Sequence, residues 1–269
     1  MRPTAIKPTH GGSEIFPEQF IPDHVFVYIV RGRMHCYDGN QSQILRPGDY
    51  YLFRKNHLVK YYGESERNEL EFIRICLEET FLKQFQEKHK PVVTTFKSAA
   101  AFWPLNKMDL MPDFISSLKP YYHQHDINEA FADVKQEELL LILLQSQPEL
   151  AGVLFTYGNP AKIDLAAFMN HNYKFNVSLE RFAYLTGRSL SAFKRDFKQV
   201  FQDTPNHWLV NRRLQESHFL IDQRNKKPSE IYLDLGFEDL SHFSHAFRKR
   251  FGLTPTELSA QKKNNSRSY

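Results

Sequence analysis

Two stretches of the chain, SLSAFKRDFKQVFQDTP (Ser189–Pro205) and DLSHFSHAFRKRFGLTP (Asp239–Pro255), lie fifty residues apart and align without a gap. They share the pairs Leu190/Leu240, Ser191/Ser241, Phe193/Phe243, Phe197/Phe247, Phe201/Phe251, Thr204/Thr254 and Pro205/Pro255. At about 100° of rotation per residue the phenylalanines of one copy form a single helical stripe with Leu190 and Val200, the pattern of a buried face. The opposite face of the first copy carries Ser191, Arg195 and Lys198, with Lys194 on its flank. The second carries Ser241, His245 and Arg248, with Ser244 flanking and His242 to the other side. The copies agree where a helix packs and differ where it faces outward.

Each copy follows a short helical segment ending in glycine: SLERFAYLTG before the first and PSEIYLDLG before the second. Ser178, Ser189 and Asp239 are suited to cap helix N-termini. Gly187 and Gly236 supply the left-handed turn between helices. Helix, tight glycine turn, helix is the helix-turn-helix pattern. It occurs twice here, bridged by a long helical segment, Pro205–Gln223. A helix lodged in the major groove presents its N-terminal half to base edges, where arginine pairs bidentately with guanine. Lys198, Arg248, Lys249 and Arg250, farther along, suit phosphates, which supply affinity rather than sequence choice. A solvated charged face on an ordinary helical domain is the alternative for either copy alone; the doubling, with its caps, glycine turns and Thr-Pro exits, argues against it.

Composition agrees. From Ile163 onward there are 17 basic and 11 acidic residues, whereas residues 1–162 hold 18 basic and 20 acidic, so the surplus lies in the repeat-bearing half. That asymmetry points to nucleic acid. A length of 269 residues favours two domains. Cys36 and Cys76 have no metal or redox spacing and read as reduced thiols. No apolar run reaches the ~20 residues of a membrane span, and the N-terminus lacks the apolar core of a signal peptide, so a cytoplasmic protein without membrane association is expected.

The C-terminal hundred residues resemble the AraC/XylS family of bacterial transcription regulators. The resemblance runs through SLERFAYLTGRSLSAFKRDFK, RRLQESHFLI and above all GFEDLSHFSHAFRKRFGLTP. It implies seven helices forming two helix-turn-helix units that place their reading helices in successive major grooves of promoter DNA. It implies base-facing roles for Ser191, Lys194 and Arg195, then Ser241, His242 and His245. RNA polymerase is the partner expected from the family. Three positions depart from the family pattern: Gln202 stands where glycine is common, Ser217 where alanine is common, and His245 where arginine is common. A mostly neutral histidine cannot make the arginine fork, so the second unit is expected to contribute less to base selection than the first.

The N-terminal half reads as strands. HVFVYIVRG (His24–Gly32), an Asp-Gly turn in YDGNQS (Tyr37–Ser42), RPGDYYLF (Arg46–Phe53) and ELEFIRICL (Glu69–Leu77) follow one another within residues 14–77, as in an antiparallel barrel or sandwich. Helices follow from Glu79, and TYGNPAK (Thr156–Lys162) is the linker candidate. This half resembles the family's cupin-like regulatory barrel with helices, and within the family the branch that activates type III secretion genes. The expected fold is therefore α+β: a cupin-like antiparallel β-barrel with helices over residues 1–157 and an all-α domain with two helix-turn-helix units over residues 158–269.

Three further expectations concern the N-terminal half. The segment EELLLILL is apolar all round, so Leu139, Leu140, Leu143 and Leu144 are candidates for a homodimer contact, with a core role inside one chain as the alternative. Tyr28, Tyr50, Phe53 and Tyr61 are candidates for lining a ligand pocket, although aromatic residues at strand spacing are more often core. His24, His35 and His57 have no ligand spacing, and no catalytic constellation appears, so neither metal, cofactor nor enzymatic activity is expected. The signal is open between a small-molecule effector and a regulatory protein such as an anti-activator. A cupin-type enzyme with a DNA-binding tail is the more distant alternative. Activator rather than repressor is a family expectation.

Overall fold

The computed structural model describes residues 6–10, 19–64, 70–94, 100–122 and 129–265. The chain divides into two compact units, Met1–Gly158 and Asn159–Tyr269, with the division inside the Thr156–Lys162 segment.

The N-terminal unit begins with strands β1 (Ile6–His10), β2 (Phe20–Ile21), β3 (His24–Arg31), β4 (Arg33–Tyr37), β5 (Ser42–Leu45), β6 (Tyr50–Phe53), β7 (His57–Leu58), β8 (Lys60–Glu64) and β9 (Glu71–Leu77). Then come α1 (Glu79–His89), β10 (Phe102–Pro104), α2 (Met111–Tyr122), α3 (Glu129–Ser146), a 3-10 turn (Pro148–Leu150) and α4 (Ala151–Leu154). The strands pair antiparallel in a five-stranded sheet of order β1-β9-β3-β6-β10, a three-stranded sheet of order β5-β4-β8 and a two-stranded pair β2-β7. The antiparallel α+β architecture is present, and among the described residues the strands are divided over three sheets. The chain crosses from the large sheet to the small one at Gly32, whose φ of 78° is a left-handed conformation that redirects the backbone between β3 and β4. The Asp-Gly hairpin forms as read: Asp38 Oδ1 accepts from the backbone N–H groups of Asn40 and Gln41, at 3.0 and 2.9 Å, and joins β4 to β5.

Period-two alternation gives the five-stranded sheet two buried faces. Val25, Val27 and Ile29 of β3 point between the sheets, against Met34, Cys36, Leu45, Phe53 and Phe72. Phe26, Leu52, Ile73 and Ile75 point the other way, against Leu82, Phe85, Phe114, Leu118 and the α3 leucines. The order of layers is small sheet, large sheet, helices.

This layering bears on two expectations. The four aromatic candidates do not line one cavity. Tyr28 and Tyr50 stack on the helix-facing side with ring centroids 5.2 Å apart. Phe53 and Tyr61 belong to the core between the sheets. Tyr50 and Phe53 differ by an odd number of positions in one strand, so the pleat sends them to opposite faces. Likewise, Leu139, Leu140 and Leu143 are fully buried within the unit and Leu144 packs against the same core. The large apolar residues that α3 leaves exposed are Phe131, Val134 and Leu141, at 54, 61 and 45% of their full accessibility.

The C-terminal unit is helical. Among the described residues it contains seven helices: α5 (Leu165–Asn172), α6 (Leu179–Leu185), α7 (Leu190–Phe201), α8 (Pro205–Arg224), α9 (Pro228–Ile231), α10 (Leu240–Phe251) and α11 (Pro255–Asn265). The last helix, α11, runs as far as Asn265, and residues 266–269 lie outside the described residues. Among the described residues no helix is long and apolar enough to cross a membrane.

Candidate nucleic-acid interface

The repeat becomes two helices of twelve residues each, α7 and α10. Their start points are set by side chains. Ser189 Oγ accepts from the N–H of Ala192 at 3.3 Å, and Asp239 Oδ1 accepts from that of His242 at 2.6 Å. Ser178 caps α6 in the same way, through the N–H of Arg181 at 3.2 Å. Gly187 and Gly236 take left-handed conformations at φ 66° and 87°. A Cβ on Gly187 would lie 2.5 Å from the Ala161 carbonyl carbon, so the turn also requires glycine for space. The exits differ: Gly252 ends α10 at φ 80°, whereas Gln202 ends α7 at φ 53°, a left-handed residue without glycine's freedom.

Phe193 and Phe197 in the first copy, and Phe243 and Phe247 in the second, are fully buried. The edge of the stripe is a correction: Val200 is 49% exposed and belongs to the outward face. Phe201 turns onto Trp208 of α8, 4.6 Å between centroids, and Phe251 packs on His218 at 4.8 Å. Each reading helix is thereby clamped against the long connecting helix by its last phenylalanine.

The outward faces carry the expected side chains. Ser191, Lys194, Arg195 and Lys198 are exposed on α7, as are Ser241, His242, His245, Arg248, Lys249 and Arg250 on α10. On α7 these four share one face; on α10 Ser241, His245 and Arg248 do, while His242 and Lys249 lie on the flank and Arg250 farther round. Arg195 rests on the neighbouring Asp196 carboxylate, at 3.0 and 3.2 Å. Arg188, from the turn before α7, holds the other oxygen at 3.1 Å. Hydrogen bonds from Arg188 and then Arg195 hold the Asp196 carboxyl below its ordinary value. His242 lies edge-on to Phe237, 6.0 Å away, which braces it beside the turn.

Three side chains that organise the interface were not singled out in the sequence. Asn211 of α8 accepts a hydrogen bond from Arg250 Nη1 and is bonded in turn to the His207 ring at 3.0 Å, which contacts Asp203 at 2.7 Å. Arg188 secures the turn through the carbonyls of Thr186 and Ile163, at 2.7 and 3.0 Å. Arg213 is buried in α8, and burial lowers its pKa to about 10, with Glu238 opposing. Its one sequence signal is spacing: Leu209, Arg213, Ser217 and Ile221 recur every fourth residue on the buried stripe of α8.

In the N-terminal unit no group of three His, Cys, Asp or Glu side chains is placed to hold a metal ion among the described residues. His24 is buried and held down at about 3, by burial first and by Lys55 and Arg54 next.

Two helix-turn-helix units on one connecting helix, each presenting a polar and basic face, define a DNA-binding regulator. Comparison with known proteins gives the family. Residues 24–153 match the model of the ExsA N-terminal regulatory domain, and residues 182–261 match that of a helix-turn-helix domain. The chain is 25% identical over 236 residues to the virulence regulon transcriptional activator VirF of Yersinia enterocolitica, covering 85% of this chain and 86% of that one. It is 25% identical over 236 residues to the thermoregulatory protein LcrF of Yersinia pestis, with the same coverage of 85% and 86%. It is 27% identical over 239 residues to the HTH-type transcriptional regulator ExsA of Pseudomonas aeruginosa, covering 86% and 84%. The chain belongs to the AraC/XylS family of bacterial transcription regulators. It is a sequence-specific DNA-binding regulator with an N-terminal regulatory domain.

Proposed function

We propose that the chain is a cytoplasmic activator that binds promoter DNA as a homodimer and works with RNA polymerase, in the branch that controls type III secretion genes. The carrying observation is the pairing of buried phenylalanines shared by the two copies with two dissimilar outward faces on α7 and α10. In this reading Ser191, Lys194 and Arg195 face the bases of one half-site, and Ser241, His242 and His245 those of the next. Lys198, Arg248, Lys249 and Arg250 hold phosphates. Activation, rather than repression, is supported by the similarity to VirF, a transcriptional activator.

The homodimer is proposed through the groove between α2 and α3. It has a volume of about 510 Å³, and its lining includes Leu110, Val134 and Leu141, all exposed. A second copy would cover apolar surface that the unit leaves in water. A regulatory protein docking on the N-terminal unit is the favoured source of the signal, because the aromatic candidates are spread over both faces of the sheet. A small-molecule effector is the second reading, supported by the half-buried Tyr28–Tyr50 stack.

The test is to incubate the full chain with sheared genomic DNA at moderate salt and sequence what it retains. The expected result is enrichment of a small set of fragments sharing one bipartite motif, with affinity falling steeply as salt rises. Uniform recovery of all fragments overturns the reading.

A further inference from the structure

Arg213 has a position that its role as a helix residue does not explain. It projects from the middle of α8 and donates three hydrogen bonds, all to backbone carbonyls: Tyr173 at 2.7 Å from Nε, Phe175 at 2.8 Å from Nη2 and Gly236 at 2.8 Å from Nη1. Tyr173 and Phe175 lie in the loop between α5 and α6, in the first helix-turn-helix region. Gly236 is the turn glycine of the second. One planar guanidinium therefore binds both regions and the helix between them. The fork suits this task, since its donors diverge in fixed directions where an ammonium has no such frame.

The surroundings repeat the connection. Lys174 pairs with Glu216 of α8 at 3.3 Å, and Arg212 lies over the Tyr173 ring at 4.8 Å. Asn176 Nδ2 donates to Glu238 at 3.1 Å, a direct bond from the first region to the second. Gly236 admits no side chain there, because a Cβ would lie 2.6 Å from the Lys174 carbonyl oxygen and 2.9 Å from Arg213 Cζ. Loop 173–176, Arg213 and Gly236 form one closed junction.

We propose that Arg213 is a positioning residue that sets the separation and relative orientation of the two reading helices, and thereby the half-site spacing the protein accepts. This rests on the reading of α7 and α10 as DNA-reading helices. One inserted base pair moves a half-site by about 3.4 Å along the duplex and by about 35° around it. A rigid junction cannot follow that shift; a loosened one can.

The test uses the full chain and a duplex recovered by the wild-type protein from a random-sequence pool, together with derivatives carrying one base pair more or fewer between its two blocks. Wild type is expected to lose about tenfold or more in affinity on insertion, the scale of one lost base-pair recognition. Arg213→Lys keeps the charge and loses the fork. It is expected to bind the native spacing about tenfold more weakly and to treat native and altered spacings within about threefold of each other. Its affinity for a duplex carrying one block alone should stay within about twofold of wild type, which a general loss of fold would not permit. Asn176→Ala removes the exposed bond to Glu238 and should flatten the spacing dependence in the same direction by about threefold. If Arg213→Lys loses its helical circular dichroism, Asn176→Ala decides alone. A folded variant that discriminates spacing as steeply as wild type overturns the proposal, as does a recovered motif consisting of one uninterrupted block. Recovery of no preferred motif by wild type overturns the DNA-reading assignment itself.

Discussion

Asp196 and Arg188 meet across the first helix-turn-helix, Oδ2 to Nε at 3.1 Å, with Arg188 almost wholly buried and Arg195 bonded to the other carboxylate oxygen. The same carboxylate thus ties down the turn before α7 and holds the exposed Arg195 on its surface.

That contact makes stability depend on acid. Arg188 first, then Arg195, with Lys162 nearby, keep the Asp196 carboxyl below its ordinary value of 3.8. A depressed carboxylate stabilises the folded chain fully above its unfolded value, and that contribution is lost as pH falls through the folded value. Wild type should therefore lose urea resistance more steeply than Asp196→Asn between about pH 5 and pH 2. Parallel curves for the two proteins would show that the carboxylate contributes nothing.

Arg195→Ala should weaken operator binding by about 1–3 kcal/mol and relax the choice of base at its position. His245→Ala should lose less, within about threefold, because an imidazole lacks the planar fork of donors that arginine offers. Titration of both variants against the same duplex decides it; an equal or larger loss for His245→Ala sinks the unequal reading of the two half-sites.

Gln202 sits in a left-handed conformation at φ 53°, and its side chain recovers only an exposed hydrogen bond to the Gln199 carbonyl at 2.9 Å. Gln202→Gly should raise unfolding stability by about 0.5–1 kcal/mol, as at other left-handed helix ends. Chemical denaturation of the full chain, followed on the transition of the C-terminal unit, gives the sign.

Gly236→Ala should do the reverse. Its φ of 87° is strained for alanine, and the added methyl would press on the Lys174 carbonyl and Arg213. A loss of about 2–4 kcal/mol is expected, from the combined strain and overpacking. A denaturation midpoint equal to wild type would mean the junction yields easily.

Two leucines two positions apart on α3 should part company. Leu139→Ala hollows a fully buried site and should lower stability by about 2–5 kcal/mol without altering stoichiometry. Leu141→Arg places charge in the exposed groove and should turn dimer into monomer while the thermal midpoint hardly moves. Sedimentation velocity and thermal melts on both variants separate these outcomes; a Leu141→Arg chain that still sediments as a dimer excludes the groove.

The sequence by itself determined the parts of this protein whose signals are local. The caps Ser178, Ser189 and Asp239, the glycine turns and the buried phenylalanines are each written within a few residues, because helix geometry converts short spacing directly into a face. The outward placement of Lys194, Arg195 and His245 follows from that same spacing, and the Asp38–Gly39 hairpin from its turn chemistry. What only the tertiary structure decided is what lies across from each face. Leu139 and Leu141 are the same residue type in one apolar run, and only the packing of α3 against the sheet makes one core and the other surface. Val200 sits at the margin of its stripe, where period alone does not say whether a neighbour covers it. Tyr50 and Phe53 are distributed to opposite layers by a sheet buried on both sides, which removes the polar alternation that would have told the layers apart. Arg213 reads as one more basic residue in a basic domain, yet its three acceptors lie 40, 38 and 23 residues away in the chain. Such a bond exists only once the fold has brought those carbonyls together.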